Sequence, residues 1–239
     1  MPLTKTGFNN VKRVIAMIER FSLTAELGDI VDMFQVGKVI RGHTNRFNVA
    51  PTQTVSIVMN DRFDQRTMQE SRWGLFPFWA RDAVNADHTT LSEKPFLQRM
   101  LRRQRCVLPC SGFFGQKQFG KERDPRAMHI VVPSQQLFGI AGIYDCWKNV
   151  SGKEVRAFTM VTAAATGAMS VWQPRVPVIL DEDGIEDWLN PQITEFSGLR
   201  KHLEAMDSYL MRAYPVTNAV HDDLFESPDC IREIRPDFA

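Results

Sequence analysis

Apolar residues at Leu27, Ile30, Val31 and Phe34 recur at intervals of three and four and lay a single stripe along a helix, with Thr24 upstream as its expected N-cap. Ser92 precedes a second helical stretch, EKPFLQRMLRRQ, whose Phe96, Leu97, Met100 and Leu101 are expected on one face. DGIEDWL and FSGLRKHLEAM predict two more helices toward the C-terminus. Other segments follow a different rule. QTVSIVM (53–59), AMHIVV (127–132), LFGIAGIYDCW (137–147), VRAFTMVT (155–162) and VPVIL (176–180) are short, rich in apolar and β-branched residues, and bounded by Pro, Gly, Asn or Asp, so they predict strands. Strands cluster in the middle of the chain and helices interrupt them irregularly. That excludes the regular alternation of a doubly wound sheet and predicts an α+β fold, a mixed, mainly antiparallel β core with flanking helices. No repeat, low-complexity run or linker-like stretch divides the chain, and 239 residues at 44% apolar content suffice for one core, so a single domain is expected.

Composition narrows the function classes. A net charge of +1 provides no global field for nucleic acid or membrane, so such contacts must come from a local patch. One candidate patch exists. Lys94, Arg99, Arg102, Arg103 and Arg105 crowd a short segment, and Arg72 and Arg81 flank RWGLFPFWA with its Trp73, Phe76, Phe78 and Trp79. Cations interleaved with rings suit a groove that tracks phosphates and stacks unpaired bases; a solvated basic helix face beside buried tryptophans is the competing reading. The four cysteines, Cys106, Cys110, Cys146 and Cys230, are too sparse for a disulfide scaffold, which points to the cytoplasm. Cys106 and Cys110 lack histidines at zinc spacing, and the five histidines show no ligand pattern, so neither metal nor cofactor is expected. Asp181, Glu182 and Asp183 open a helix, where they favour its dipole. The apolar run after Lys12 and Arg13 is too short for a signal peptide or a membrane span, and no membrane partner is expected.

Placed in order, RFSLTAEL, RFNVAPTQ, RWGLFPFWA, NADHTT, SEKPF, RCVLPCSGFFGQK, IAGIYDCW, RVPVIL, YPVTNAV and SPDC resemble the SRAP family of SOS response-associated peptidases, or abasic-site processing proteins. The likeness runs from Met17 almost to the C-terminus, which makes residues 17–239 the SRAP-like domain and residues 1–16 an N-terminal extension. The resemblance implies a compact domain, expected to be monomeric, that binds single-stranded DNA and captures abasic sites through a cysteine at the mature N-terminus. The α-amine of that residue condenses with the sugar aldehyde and its thiol closes a thiazolidine. A glutamate and a histidine assist the proton transfers.

The resemblance fails where the chemistry sits. Ile18 stands at the position of the nucleophilic cysteine and Glu19 at that of the following glycine; Asp87 replaces an arginine and Thr89 a glutamate; Gly115 replaces the catalytic glutamate, and Gln173, which does not titrate, replaces the histidine. The positions matching the DNA-facing motifs are kept: Arg20, Asn48, Trp73, Trp79, Asn85, Thr162 and Arg175. The expectation is therefore a pseudoenzyme that still binds single-stranded or abasic DNA. Alternatives are an enzyme with a relocated nucleophile at Cys110 or Lys117, with His88 nearby, and a protein-interaction module or genomic remnant that ignores DNA.

Overall fold

The computed structural model describes residues 18–41, 43–77, 80, 82–117, 125–171 and 173–234. The expected extension over residues 1–16 and the aromatic and basic positions Phe78, Trp79 and Arg81 lie outside them.

Strands dominate. In chain order they are β1 (Phe21–Leu23), β2 (Lys38–Val39), β3 (Arg46–Val49), β4 (Thr54–Asn60), β5 (Arg66–Trp73), β6 (Asn85–Asp87) and β7 (Arg105–Cys110), followed by β8 (Gly112–Lys117), β9 (Arg126–Val131), β10 (Phe138–Lys148), β11 (Glu154–Ala164), β12 (Arg175–Pro177), β13 (Ile179–Leu180) and β14 (Arg212–Pro215). The helices are α1 (Leu27–Met33), α2 (Pro95–Arg103), α3 (Glu182–Leu189) and α4 (Phe196–Arg200). The fold is the expected α+β class, mostly antiparallel.

Two sheets share the chain. The larger runs β12-β11-β10-β7-β4-β5-β2, and an added parallel pairing of β5 with β11, Arg72 against Ala157 and Trp73 against Phe158, closes its middle strands into a ring. Closure removes the edges on which stray strands could add. The smaller sheet runs β14-β9-β8-β1-β3. Only Ser111 separates β7 of the ring from β8 of the second sheet, and its N–H donates to Ser22 O at 2.8 Å, so the chain crosses between sheets without losing a backbone bond. Alternation along β8 then serves two cores: Phe113 joins Phe21, Trp73 and Phe158 in the main one, while Phe114 faces a smaller cluster with Ala127, Val216, Val220 and Cys230. The C-terminal segment is thus a lid on the second sheet's outer face.

Several local expectations change. Thr24 does not cap α1; its N–H donates to Ser111 Oγ at 3.0 Å, which keeps the chain extended until Glu26 takes the N-cap position. The stripe itself holds, with Ile30 and Phe34 fully buried. In α2 the buried face is Leu97, Met100 and Leu101, and Phe96 turns outward at 45% exposure, because the i, i+3, i+4 row excludes its neighbour. Pro95, rather than Ser92, sets the start of that helix. Residues 176–180 split at Val178, whose N–H donates to Val161 O while its own carbonyl accepts from Ala141, so one half pairs with β11 and the other with β10. The last helix stops at Arg200, where His202 and Leu203 turn back to Leu199 O and Arg200 O in tighter i to i+3 bonds.

Candidate functional site

The substituted positions converge. Extending the antiparallel register of β1 and β8, in which Phe21 faces Phe113 and Ser22 faces Gly112, brings Glu19 opposite Gly115 and Ile18 opposite Gln116; Phe114 N–H donates to Arg20 O at 3.0 Å along that extension. Ile18 is fully buried, and its carbonyl accepts 2.8 Å from Asn85 Nδ2 on β6. Gln173 fills the volume above Gly115: a Cβ added there would stand 2.5 Å from Gln173 Oε1. A side chain at 115 therefore requires Gln173 to move aside.

The circuit continues through an ion pair. Asp87 Oδ2 lies 2.8 Å from Arg175 Nη1, and Arg175 also donates to Thr162 Oγ1 (3.0 Å) and Thr162 O (2.7 Å). Thr89 donates its N–H (3.0 Å) and hydroxyl (2.9 Å) to Asp87 Oδ1. Partial burial by itself would raise the Asp87 pKa, but these bonds and the Arg175 charge outweigh it and hold the carboxyl below its usual range. The acid at 87 and the hydroxyl at 89 are therefore partners, and together they occupy the cation that the site would otherwise present. Asn85 Oδ1 is buried without a hydrogen-bond partner.

Other retained residues have structural work. Trp73 has no exposed surface; Phe21 meets it edge-on at 5.2 Å, Phe158 stacks at 6.4 Å, and its Nε1 donates to Val84 O. A ring buried this way presents no face to a base. Asn48 is likewise fully buried and donates to Val220 O, Asp222 O and Phe225 O, while Arg20 donates to Asn48 Oδ1, His221 O and Asp223 Oδ1. Both hold the C-terminal lid, which leaves Asn85, Thr162 and Arg175 as the kept residues at the circuit. Trp79 is outside the described residues.

The relocated-nucleophile positions fare differently. Cys110 is fully buried, burial pushes its thiol far up, and Sγ donates to Gly112 O, so it is neither ionised nor reachable. Lys117 is half-buried two residues beyond Gly115 on β8. In the basic cluster, Arg105 is buried and donates to the Leu101, Arg102, Trp188 and Asn190 carbonyls, which ties α2 to α3. Lys94 pairs with Asp82. Arg99, Arg102 and Arg103 remain exposed. Among the described residues no three His, Cys, Asp or Glu side chains are grouped to hold a metal ion, and no helix is long and apolar enough to cross a membrane.

One polar relay escaped the sequence. His129 on β9 lies 3.0 Å from Ser22 Oγ through Nε2 and 2.8 Å from Tyr214 Oη through Nδ1. Its only sequence signal is a histidine inside an apolar strand. Burial drives its pKa down to about 3, so it is neutral in the fold and protonates freely only on unfolding. The unfolded chain then binds the extra proton below about pH 6.5, and stability falls as pH drops toward 3, by up to ~1.4 kcal/mol per pH unit from this group. Urea unfolding at pH 7, 6 and 5 measures the slope; His129→Gln, although less stable at pH 7, is expected to show a shallower one.

Residues 17–223 match the family model described as SOS response associated peptidase (SRAP). The abasic site processing protein YoqW of Bacillus subtilis is 33% identical over 226 residues, covering 90% of this chain and 99% of that protein. The abasic site processing protein HMCES of Gallus gallus is 25% identical over 195 residues, 70% of this chain and 57% of that one. A crystal structure of a Bacteroides thetaiotaomicron protein superposes with a TM-score of 0.74 at 23% identity, covering 90% of this chain and 99% of its own, which fixes the likeness of fold.

Proposed function

Because the chain belongs to the SOS response associated peptidase (SRAP) family, we propose that it is a non-covalent binder of single-stranded or abasic DNA, acting in the DNA-damage response of the cytoplasm, from which the family's covalent reaction has been lost. One observation supports the reading: Ile18, Gly115 and Gln173, which the resemblance aligns with the nucleophile and its proton-transfer partners, lie in one neighbourhood of β1, β8 and β6, and each is a side chain unable to do that chemistry. Ile18 supplies no thiol, Gly115 no carboxylate, and Gln173 no titrating ring. A thiazolidine needs amine and thiol on a single residue, so no substitution elsewhere replaces the missing cysteine.

Binding is supported by what that neighbourhood keeps. Arg175, held at 3.0 Å from Thr162 Oγ1, keeps a guanidinium that a phosphate could meet. Asp87 weakens this binding, since a phosphate must displace it from Arg175. The affinity is therefore modest and falls steeply with salt.

The test is an anisotropy titration of single-stranded oligonucleotides with and without an abasic site, followed by intact mass. Expected are salt-sensitive binding to both and an unmodified protein mass. Asp87→Asn, which removes the competing charge and keeps a cap for the turn at 88–90, is expected to tighten binding about tenfold at low salt. Absence of binding at low salt would eliminate the reading, and a stable mass adduct would overturn the claim of lost chemistry.

A further inference from the structure

A cavity of about 620 Å³ opens between the start of α1, the turn joining β9 to β10, and Tyr214 on β14. None of Ile18, Asn85, Gly115 and Gln173 lines it, so it is separate from the substituted positions. Ala25, Val131, Val132, Leu137 and Ile231 supply apolar lining. Its size lies within the range of small-molecule sites, in which an apolar lining carries a few polar groups that fix orientation.

The polar groups select the charge of what enters. His129 belongs to the lining, is 2% exposed, and has both ring nitrogens engaged. Tyr214 Oη donates to Ile231 O at 3.2 Å, so His129 Nδ1–H donates to Tyr214 Oη and Nε2 accepts from the Ser22 hydroxyl. That ring is neutral and has no N–H left for an anion. No lysine or arginine lines the cavity. Arg212 lies over the Tyr214 ring, 5.0 Å from its centroid, but Glu233 meets its charge at 2.6 Å.

The charges that do line the cavity are both carboxylates. Glu26 and Asp29 stand three residues apart at the start of α1; both are exposed, and neither has an ion pair or a side-chain hydrogen bond among the described residues. The helix dipole accounts for Asp29 in the first turn, but Glu26 occupies the N-cap position without making a side-chain cap bond. Gln135 and Gln136, exposed on the turn after β9, add amide carbonyls as further acceptors. Two unneutralised carboxylates beside an apolar lining complement ammonium groups on a short hydrocarbon chain, whereas a phosphate or carboxylate ligand would be repelled. We propose that this cavity binds a short aliphatic diamine or polyamine, with one ammonium group at Glu26 and Asp29 and the methylene chain against Val131, Val132 and Leu137.

The test needs no nucleic acid and is independent of the single-strand reading. The full chain is titrated with putrescine, a four-carbon diamine, and followed by backbone amide NMR shifts. Saturable binding with a Kd of about 1 mM or tighter is expected, with the largest shifts at Val131, Gln135, Gln136 and Tyr214. The uncharged butanediol of the same chain length is expected to bind about tenfold more weakly or not at all. Glu26→Gln and Asp29→Asn are each expected to weaken putrescine binding about fivefold, and the double variant to lose its salt dependence. Both side chains are exposed, and unchanged thermal melts confirm that the variants fold. Equal binding of diol and diamine, wild-type affinity in the double variant, or shifts confined to residues away from the cavity would each overturn the assignment.

Discussion

Replacing Asn48 by alanine is expected to cost about 3 kcal/mol or more and to undock the C-terminal lid. The amide is fully buried and spreads its two N–H groups over Val220 O, Asp222 O and Phe225 O at 3.1, 3.1 and 2.9 Å, while Oδ1 accepts from Arg20 at 3.2 Å. Alanine supplies neither donor nor acceptor, and each buried polar group left unpaired costs about 1–3 kcal/mol. The carbonyls belong to one short stretch, so their losses add to a single local event. Once that stretch lifts, Phe114, Ala127, Val216, Val220 and Cys230 lose their cover. Urea unfolding should show the stability loss, and hydrogen exchange should show it concentrated in residues 216–231. Asn48→Asp is expected to be no better, because a carboxylate would face three carbonyl oxygens. A variant that melts like the wild type but binds single-stranded DNA poorly would show instead that Asn48 acts on the ligand.

Much of the fold was legible because the elements that carry it bury one face or two. The α1 stripe and the apolar runs that became β4, β9, β10 and β11 follow elementary periodicity. β5 was not visible in that way: Thr67, Gln69 and Ser71 are all buried, yet they read as polar, because Gln69 donates to Thr67 Oγ1 and Thr67 to Met59 O, inside the closed ring. Short pieces such as β1, β3 and β6 carry too few residues to show a period.

The site divides along a similar line. That Ile18, Thr89, Gly115 and Gln173 lack the thiol, carboxylates and imidazole of the family pattern is a property of residue type and needs no coordinates. Which retained residues hold the fold together is a property of neighbours. Arg20 and Asn48 look like ligand contacts until the carbonyls of the C-terminal lid are seen around them, and those are more than 170 residues away in sequence for each of the Asn48 bonds. The same holds for His129, whose partners Ser22 and Tyr214 come from distant strands. Nor does sequence order reveal that Asp87 and Thr89 satisfy each other, because a turn had to fold two side chains onto one carboxylate oxygen.

The pair Gly115 and Gln173 carries the other large expected effect. Gly115→Glu is expected to destabilise the protein by about 3–5 kcal/mol, through crowding of a filled core and burial of a carboxylate. The first atom of any side chain at 115 would meet Gln173 Oε1 at 2.5 Å and Ile130 Cδ1 at 3.1 Å. A double-mutant cycle isolates the crowding from the charge. Gly115→Ala alone should cost about 1–3 kcal/mol, and Gln173→Ala alone should cost a comparable amount by leaving a void. In the double variant the new methyl group enters that void, so the combined loss should be smaller than the sum by about 1 kcal/mol or more. Strict additivity in urea unfolding would mean that the two side chains do not compete for the same volume. With coupling of the expected sign, the two departures from the family pattern are one structural change: once Gln173 occupies the recess, a carboxylate cannot return to position 115 without first evicting it. On the proposed reading, packing would then oppose a return of the reaction, independently of whether a cysteine is restored at position 18.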